Sequence, residues 1–482
     1  MTGGLTSAPA VAGATTSTSA FWTLDRAADA LADVLQGAVP RGPRGLAGVA
    51  TDTRALRGGE LFVALRGERF DAHDFLADAV ARGAGALVVD DAARAAGLGV
   101  PVYEVRDTLV ALGRLGRYWR RAWGGLVVGV AGSNGKTSTK ELLRAALGAA
   151  RAVHATTGNL NNLVGVPLTL LGIPGETEIA VVEMGTNMPG EIAALRAIVE
   201  PEVVVMTSIG EEHLEGLGDL AGVLREESDA FDGAALAVVP ADQPEIAAAA
   251  RGRAREVVRA GLDAGDLVAD RWEVQPDGTG LLVVDGTWIA SPLRGAHNLR
   301  NAMLALAVAR ALGVSMHDAA RGIAAMPVPS MRSAWTTLGR ATLVNDAYNA
   351  NPGSTRAALD LLASAGAGRQ RVAVLGSMRE LGLQAPRLHA ELAREALARG
   401  LEVVAGVGDY AAALAEVAPG DPRVVHAPDV DELWPLLAPR LAPDAVILLK
   451  ASRGMRLERL VPHLEAWAGV DRSPSPSPST SS

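Results

Sequence analysis

Three nearly continuous apolar runs in the middle of the chain most constrain its fold. They are Leu126-Val-Val-Gly-Val130, Ile179-Ala-Val-Val-Glu183 and Val203-Val-Val-Met-Thr207. A strand covered on one face alternates apolar and polar residues, whereas a parallel strand covered by helices on both faces is apolar throughout. Helical patterns separate these runs, and similar alternation continues toward both ends of the chain. The pattern therefore predicts an α/β protein built on parallel sheets.

Glycine and proline breaks divide this alternation into three blocks. Gly124-Gly125 ends a helical pattern over residues 108–123, and Pro327 and Pro329 end a region of predicted hairpin and helix. We predict domains over residues 21–123, 124–326 and 327–469, the last of them a doubly wound, Rossmann-like sheet. Residues 1–20 are small and polar and residues 470–482 are rich in Ser and Pro, which predicts a disordered leader and a disordered tail.

Composition excludes several classes of function. The 482 residues include no cysteine, which rules out disulfides, thiolate metal sites and cysteine nucleophiles. A net charge of −9 and an aromatic content of 4% argue against nucleic acid as a partner. No segment approaches the roughly 18–20 apolar residues of a membrane helix, and the N-terminal stretch lacks the basic and apolar regions of a signal peptide. We therefore expect a cytoplasmic protein with no membrane partner.

A glycine-rich loop follows the first apolar run and precedes a predicted helix over residues 138–150. Its sequence is Gly132-Ser133-Asn134-Gly135-Lys136-Thr137-Ser138. In such a loop, backbone N–H groups can surround phosphate, the lysine can reach the β- and γ-phosphates, and the threonine hydroxyl can bind Mg²⁺. The strict phosphate-loop pattern has a glycine where this chain has Val130, so the motif is a shorter variant. A chance glycine-rich turn is the alternative.

Two polar residues follow neighbouring predicted strands. Glu183 ends the second apolar run, where an acid at the carboxyl end of a strand beside a phosphate loop suits a metal-facing role. A strand-terminal surface residue is the simpler interpretation. His213 follows the third run, and a lone histidine is more often a structural hydrogen-bonding residue than a metal ligand.

Together these motifs resemble those of the ATP-dependent Mur ligases. The resemblance spans Asp52 to Glu458, and the stretches that carry it are Thr51-Asp-Thr53-Arg54, residues 59–67, the glycine-rich loop, residues 157–167, Glu183-Met-Gly, His213-Leu-Glu-Gly, residues 295–302, Arg332, and residues 346–354 and 450–458. It implies a uridine-nucleotide domain of α/β type, a central ATPase-like parallel sheet and a C-terminal Rossmann-like domain. The block 346–354 is most similar to that of the member that joins D-alanyl-D-alanine to UDP-N-acetylmuramoyl-tripeptide in peptidoglycan synthesis.

The resemblance also implies roles for individual residues. The catalytic set is Lys136, Glu183, His213, Glu227 and Arg332, and the Mg²⁺ ligands are Thr137, Glu183, His213 and Glu227. ATP would be bound by residues 132–138 with His297, Asn298, Asn301, Arg332 and Asp346. The other substrates would be bound by Thr53, Arg54, Thr157, Asn159, Asn161, Asn162, Tyr348, Asn349, Asn351, Ser354, Lys450 and Arg453.

Structural roles are the alternative for several of these residues. Asparagine-rich turns are usually only turns, because asparagine tolerates the left-handed conformation and bonds its own backbone. His297 and Asn298 could cap the helix that follows them. Arg453 could be a solvated charge at a helix end.

One position departs from the family pattern. Fourteen residues after His213, where the family has a carbamylated lysine that ligates metal, this chain has Glu227. A glutamate offers the same charge and hard oxygen ligands for Mg²⁺ with a shorter reach. We hypothesise that Glu227, or its neighbour Glu226, replaces the carbamate directly. The alternative is that both face solvent on a helix.

Competing functions remain within and outside the family. The ligase that adds the third stem residue and folylpolyglutamate synthase are the nearest, but the former would carry Asn-Pro-Arg where this chain has Asn351-Pro352-Gly353. A regulatory module that binds a nucleotide without ligating is the alternative of another class. We expect a monomer.

Overall fold

The computed structural model describes residues 21–67, 70–328, 334–364 and 368–470. Arg332, the predicted leader (residues 1–20) and residues 471–482 of the predicted tail lie outside these ranges. No helix in the described ranges is both long enough and apolar enough to cross a membrane.

Helices and strands alternate through the described residues. The helices are α1 (Leu24–Ala30), α2 (Leu76–Ala81), α3 (Thr108–Trp123), α4 (Lys136–Gly148), α5 (Gly165–Leu171), α6 (Glu191–Val199), α7 (Leu214–Leu217), α8 (Leu220–Ser228), α9 (Pro244–Ala250), α10 (Ala296–Ala311), α11 (Met316–Ala324), α12 (Pro352–Ser364), α13 (Ala385–Ala398), α14 (Asp409–Val417), α15 (Val430–Leu437) and α16 (Leu460–Trp467). The strands are β1 (Leu35–Gln36), β2 (Val49–Ala50), β3 (Leu61–Val63), β4 (Ala86–Val89), β5 (Val102–Val105), β6 (Leu126–Ala131), β7 (Val153–Ala155), β8 (Ile179–Glu183), β9 (Val203–Met206), β10 (Leu236–Pro240), β11 (Glu256–Gly261), β12 (Leu267–Val268), β13 (Arg271–Val274), β14 (Thr279–Val284), β15 (Thr287–Arg294), β16 (Ala334–Leu338), β17 (Ala341–Asp346), β18 (Arg371–Leu375), β19 (Val403–Val407), β20 (Val424–Ala427) and β21 (Val446–Lys450). Short 3-10 turns lie at Thr53–Ala55, Ala72–Phe75, Ala92–Ala95, Asp229–Phe231, Gly382–Gln384, Ala438–Arg440, Arg453–Met455 and Leu457–Arg459.

The chain forms two compact units. Among the described residues, the first unit comprises those up to Val127 with Ala152–Val182 and Ala197–Glu200, and the second comprises Val128–Arg151, Glu183–Arg196 and those from Pro201 to Val470. This division follows neither of the boundaries predicted at residues 124 and 327, which stay predictions.

The first unit contains a sheet of order β1-β5-β4-β3-β2. Strand β1 runs antiparallel to β5, and the other neighbours are parallel. Helix α3 covers this sheet with a face that includes Leu112, Leu115 and Trp119. The Asp107 carboxylate caps its N-terminus by accepting from the Leu109 N–H at 2.7 Å.

The central sheet has the strand order β12-β11-β10-β9-β6-β8-β7. Strand β9 runs parallel to β6 and to β10, β11 runs parallel to β10 and to β12, and β7 runs parallel to β8. Strands β8 and β9, on either side of β6, are buried along their whole lengths, as their apolar runs predicted. In an open α/β sheet, ligands bind at the carboxyl ends of the strands where the connections change direction. The glycine-rich loop leaves β6 at this point.

Two further sheets complete the second unit. Strands β13, β14 and β15 form an antiparallel meander that turns at Gly278 and Gly286, which confirms the predicted hairpin region. The other sheet has the order β16-β17-β21-β18-β19-β20 and is parallel except at β16. This arrangement confirms the mixed α/β class and the parallel sheet predicted for the third block.

Candidate functional site

The glycine-rich loop bends around two glycines that no other residue could replace without displacing its neighbours. Gly132 has a φ of +112°, and a Cβ there would lie 2.6 Å from Thr207 Oγ1. Gly135 has a φ of +87°, and a Cβ there would lie 2.8 Å from the Asn301 side-chain amide. Both glycines are thus required by conformation and by space.

Hydrogen bonds to the loop that follows β9 hold the middle of the glycine-rich loop. The Ser133 N–H donates to the Ser208 carbonyl at 2.8 Å, and the Asn134 N–H donates to Ser208 Oγ at 3.0 Å. The Gly210 N–H donates to Ser133 Oγ at 2.9 Å. The loop conformation is therefore fixed by the protein itself.

Lys136 begins helix α4, two residues before the helix start predicted from the sequence. No side chain caps the N-terminus of this helix. The Lys136 ammonium contacts the Gly132 carbonyl, lies 3.3 Å from the Ser133 carbonyl and lies 3.7 Å from Glu212 Oε1. A cation beside a helix N-terminus and a preformed glycine loop is an arrangement that binds phosphate.

Thr137 and Glu183 are neighbours, as expected for residues at the carboxyl ends of β6 and β8. The Thr137 hydroxyl donates to Glu183 Oε2 at 3.0 Å, and both side chains are buried. Lys140, one helical turn after Lys136, is fully buried and places its Nζ 3.6 Å from Glu183 Oε2 and 3.3 Å from Glu141 Oε1. Sequence reasoning missed Lys140, although its spacing of four residues from Lys136 places it on the same side of α4.

The chain has only three lysines, and all three lie in the second unit. They are Lys136, Lys140 and Lys450. Elsewhere the chain uses arginine as its cation. Lysine differs from arginine in carrying a compact point charge, which suits phosphate and confined carboxylates.

Glu226 and Glu227 are both buried in helix α8, so the alternative that they face solvent is wrong. Glu226 accepts hydrogen bonds from the Gly190 N–H at 2.7 Å and the Ile192 N–H at 2.8 Å, around the N-terminal turn of α6. Glu227 Oε2 accepts from the Gly132 N–H at 2.8 Å, whereas its Oε1 is buried with no hydrogen-bond partner among the described residues. Burial raises the pKa of Glu227 to about 7. Of the two carboxylates, only Glu227 bonds directly to the phosphate loop.

His213 precedes helix α7 in a left-handed conformation, with a φ of +51°. Its Nδ1 contacts the Glu380 carboxylate, and its Nε2 lies 3.7 Å from Glu212 Oε2. Desolvation favours the neutral imidazole, but the Glu380 hydrogen bond and the Glu212 charge together raise the pKa of His213. Sequence reasoning found His213 and missed both of its carboxylate partners.

The donor set around the loop suits a hard cation such as Mg²⁺. It consists of the Thr137 hydroxyl, the Glu183 carboxylate and the unpartnered Glu227 Oε1, all of them oxygen ligands. Within the part of the chain that the structure describes, no three His, Asp or Glu side chains are grouped closely enough to hold a metal ion. Glu183, His213 and Glu227 are therefore near the same loop but do not converge on one point.

The carboxyl ends of β17 and β21 bring Asp346 and Lys450 together. The Lys450 ammonium lies 2.7 Å from Asp346 Oδ2 and donates to the Asn349 carbonyl at 2.7 Å. His297 is influenced by both charges, but desolvation dominates and lowers its pKa to about 4, so the imidazole is neutral near pH 7. The N-cap of α10 is Gly295, so the alternative that His297 or Asn298 caps this helix is wrong.

Several predicted substrate residues serve the local backbone. Asn351 Oδ1 accepts from the Ser354 N–H at 2.9 Å, and Ser354 Oγ accepts from the Asn351 N–H at 3.1 Å, which closes the first turn of α12. Arg453 lies in a 3-10 turn with its guanidinium 5.9 Å from the centre of the Tyr348 ring. The asparagine turn is therefore a structural element, and Tyr348 and Arg453 lie together beside it.

In the first unit, predicted substrate residues also form hydrogen bonds with residues that are close to them in sequence. The exposed Arg54 side chain donates to both oxygens of Asp52, which lowers the pKa of Asp52 to about 2. Thr53 begins the 3-10 turn Thr53–Ala55, which also contains Arg54. Further along, the Asn162 side chain accepts from the Gly165 N–H at 2.8 Å. The Asn161 N–H donates to the Asn159 carbonyl, and the Leu160 N–H donates to that of Thr157.

Models of the Mur ligase family match most of the chain. The family's catalytic-domain model matches residues 46–120, the Mur ligase middle domain matches residues 130–309, and the Mur ligase glutamate ligase domain matches residues 331–453. The match covers both units and every motif block from residue 51 to residue 453.

Curated relatives and solved structures agree with these models. UDP-N-acetylmuramoyl-tripeptide–D-alanyl-D-alanine ligase from Bacillus subtilis is 35% identical over 86% of this chain and 93% of its own length. The Escherichia coli enzyme of the same name is 36% identical over 90% of this chain and 97% of its own length. The crystal structure of MurF from Acinetobacter baumannii has a TM-score of 0.84 and 31% identity, covering 92% of this chain and 99% of its own. MurF ligase from Thermotoga maritima in complex with ADP has a TM-score of 0.78 and 28% identity, covering 88% of this chain and 98% of its own.

Proposed function

This chain belongs to the Mur ligase family, and we propose that it joins D-alanyl-D-alanine to UDP-N-acetylmuramoyl-tripeptide at the expense of ATP. The observation that carries this proposal is its alignment with curated ligases of that name over more than nine-tenths of their length. The product is the UDP-N-acetylmuramoyl-pentapeptide precursor of peptidoglycan. ATP use is further supported by the ADP complex of the Thermotoga relative.

The alternative functions are not favoured. Solved structures of a diaminopimelate-adding ligase and of a bifunctional folylpolyglutamate synthase are similar to this chain at only 16% and 18% identity, a likeness of fold alone. A regulatory module that binds nucleotide without ligating would not need the substrate blocks that this chain shares with the ligases.

The chemistry begins with activation of a carboxylate, which is by itself a poor electrophile. An oxygen of the tripeptide carboxylate attacks the γ-phosphorus of ATP, ADP leaves, and an acyl phosphate forms. The amine of D-alanyl-D-alanine then attacks the acyl carbon, loses a proton and displaces inorganic phosphate. Catalysis of phosphoryl transfer rests mainly on positioning and on neutralising charge.

The phosphate loop supplies both of these effects in our proposal. The N-terminus of α4 and the Lys136 ammonium bind the β- and γ-phosphates, since both present positive charge at the fixed loop. Arg332, which lies outside the described residues, is proposed to neutralise phosphate charge. We further assign Asp346, with its Lys450 partner, to the ATP ribose, and His297, Asn298 and Asn301 to the adenine side.

Mg²⁺ is the cation that these residues suit. We propose that Thr137 holds one Mg²⁺ beside the phosphates and that Glu183, His213 and Glu227 hold a second, because these residues offer hard oxygen donors and one imidazole around the phosphate loop. When bound, Mg²⁺ supplies positive charge to the phosphate oxygens. Glu227 departs from the family pattern, and we propose that its buried carboxylate, with Oε1 unpartnered among the described residues, takes the place of the carbamylated lysine.

The remaining assignments concern the two other substrates and the molecule as a whole. We propose that the first-unit residues bind the uridine-linked substrate, and that residues of the 346–354 and 450–453 stretches bind the dipeptide. The former set is Thr53, Arg54, Thr157, Asn159, Asn161 and Asn162, and the latter is Tyr348, Asn349, Asn351, Ser354, Lys450 and Arg453. We also propose that the protein acts in the cytoplasm, since the reaction consumes ATP. We further propose that it is a monomer.

Phosphate release tests the proposed function. The purified chain is incubated with Mg·ATP, UDP-N-acetylmuramoyl-tripeptide and D-alanyl-D-alanine, and each component is omitted in turn, with Lys136→Ala as the control for contaminating activity. We expect release that requires all three components and a pentapeptide product by mass spectrometry, with light scattering giving the monomer mass. Both lysine- and diaminopimelate-containing tripeptides are supplied. ATP binding with release that ignores either co-substrate would overturn the proposal.

A further inference from the structure

The segment that follows β18 reaches the His213 side chain. Its residue Glu380 places a carboxylate against His213 Nδ1, and the Glu380 carbonyl accepts from the Glu215 N–H at 3.1 Å. Glu380 and His213 both have left-handed backbones, with φ of +65° and +51°. A non-glycine residue rarely adopts this conformation and persists in it only where the surrounding structure determines it. The contact is therefore held in place by its surroundings.

Neighbouring elements anchor the residues just before Glu380. The Met378 N–H donates to His389 Nε2 at 2.9 Å, and the Arg379 N–H donates to Ser452 Oγ at 2.9 Å. The His389 Nδ1 bonds to the Ala385 carbonyl, so this buried imidazole uses both nitrogens. These bonds leave Glu380 little freedom to move away from His213.

Close packing fixes the residues just after Glu380. Gly382 has a φ of +53°, and a Cβ there would lie 3.3 Å from the Glu215 Cα. The segment therefore packs closely against α7, with little room for a side chain at Gly382. With the anchors at Met378 and Arg379, both sides of Glu380 are held.

A continuous line of charged groups leads from Glu380 to the phosphate loop. His213 Nε2 lies 3.7 Å from Glu212 Oε2, and Glu212 Oε1 lies 3.7 Å from the Lys136 Nζ. The Glu212 side chain is 6% exposed and that of His213 is 16% exposed, whereas that of Glu380 is 50% exposed. A carboxylate bonded to one imidazole nitrogen fixes the ring orientation and determines which nitrogen faces the other way.

We propose that Glu380 is a positioning residue that holds the proton on His213 Nδ1 and turns His213 Nε2 toward the phosphate loop. This inference rests on the proposed function, because the nitrogen so presented is the one available at the ATP site. Glu380 comes from the block that carries the proposed dipeptide residues, whereas His213 and Lys136 come from the central block. The orientation of the His213 imidazole therefore depends on where the third block positions Glu380.

Glu380→Ala and Glu380→Gln test the proposal, with Glu391→Gln as the matched control. Glu391 is also a partly exposed glutamate of the third block, but it pairs only with the exposed Arg387 in the contacts described for it. Because the Glu380 carboxylate is half exposed, we expect both variants to fold, which circular dichroism and urea unfolding check. In Glu380→Ala we expect kcat to fall about 10- to 100-fold, as for other residues that orient a ligand side chain. We expect a higher Mg²⁺ concentration for half-maximal activity, an unchanged KM for D-alanyl-D-alanine, and an intermediate effect in Glu380→Gln, which keeps an acceptor oxygen.

A spectroscopic measurement on the free protein separates this proposal from the proposed function. Nitrogen NMR of histidine-labelled protein, with His213→Asn for assignment, reports which imidazole nitrogen carries the proton. At a pH above the raised pKa of His213, where the imidazole is neutral, we expect a protonated Nδ1 in the parent and in Glu391→Gln, and a shift of the proton toward Nε2 in Glu380→Ala. Unchanged His213 signals, or unchanged kcat and Mg²⁺ dependence in Glu380→Ala, would overturn the proposal. If the parent fails the three-component release assay, the proposed function fails whatever the spectra show.

Discussion

The Glu227 carboxylate accepts a 2.8 Å hydrogen bond from the Gly132 N–H, which lies 95 residues earlier in the chain. The same carboxylate is buried, and its pKa rises from 4.5 to about 7. An acid whose folded pKa is raised binds its proton more tightly in the folded state, so stability falls as the pH rises from 4.5 through 7. Without a bound cation, this chain therefore tolerates an unfavourable charge beside its phosphate loop.

Glu227→Gln removes that charge and keeps an oxygen for the Gly132 N–H. We expect the variant to be more stable than the parent by roughly 1–3 kcal/mol at pH 8, since the new amide donors offset part of the gain. The difference shrinks toward pH 5, where the parent carboxyl is mostly protonated. Urea unfolding at both pH values without Mg²⁺ measures it.

Two results would contradict this account of Glu227. The first is a stability difference that does not depend on pH. The second is an enzyme with unchanged activity and Mg²⁺ dependence, which would remove Glu227 from the proposed metal ligands. Glu226→Gln serves as the control and should destabilise at both pH values, because Glu226 accepts from the backbone of α6.

Lys140→Met should destabilise the protein by about 3–5 kcal/mol, because it leaves the buried Glu183 carboxylate without its ammonium. The affected groups are Glu183 and Glu141, at 3.6 and 3.3 Å from Nζ. Arg144→Ala, on the same helix, breaks an exposed pair with Glu141 and should cost less than about 1 kcal/mol. Equal unfolding free energies for the two variants in urea would show that the Lys140 ammonium is not a structural counterion.

Lys136→Ala should reduce catalysis more than it reduces stability. Its ammonium contacts carbonyls and Glu212 at the mouth of the phosphate loop. We expect kcat/KM for ATP to fall about 10²- to 10³-fold, as when a group that stabilises developing charge is removed. The unfolding free energy should fall by roughly 1–3 kcal/mol, because the Glu212 side chain, only 6% exposed, loses the ammonium 3.7 Å from its Oε1. A variant that releases phosphate at the parent rate would exclude Lys136 from phosphate binding.

Gly132→Ala should destabilise the protein more than Gly218→Ala does, although both glycines have positive φ. Gly218 has a φ of +83° and a ψ of −68° with open space around its position, so alanine there carries only the cost of a strained backbone, about 1–3 kcal/mol. At Gly132 the new methyl group would also lie 2.6 Å from Thr207 Oγ1. We therefore expect a loss of roughly 2–5 kcal/mol in the free energy of unfolding, together with a distorted loop. Thermal unfolding and ADP titration compare them, and similar losses in both would refute the steric argument.

Strand positions follow closely from sequence where the pattern is local. Strand β8 coincides with its predicted run, because a continuous apolar segment defines its own ends. Strand β16 was missed, since it lies at a sheet edge and exposes Thr336 and Thr337. The start of α4 was placed two residues late because Gly135 provides a left-handed N-cap immediately before Lys136.

The residues of the site were easier to predict than their partners. Lys136, Thr137 and Glu183 follow from strand–loop–helix order, which a short window contains. The partnership of Glu380 with His213 spans 167 residues, and no spacing rule links them. Such contacts depend on how sheets pack rather than on local propensity, so they emerge only from the fold.

The restriction of lysine to positions 136, 140 and 450 has a practical consequence for handling this protein. Apart from the α-amine at the chain's N-terminus, amine-directed dyes, biotinylation reagents and coupling resins can attach only at these three lysines. A lysine-specific protease likewise has three positions to cut, and two of them, Lys140 and Lys450, are buried. Ligands that cover Lys136 should therefore protect against both kinds of reagent, which makes lysine modification a direct footprint of site occupancy.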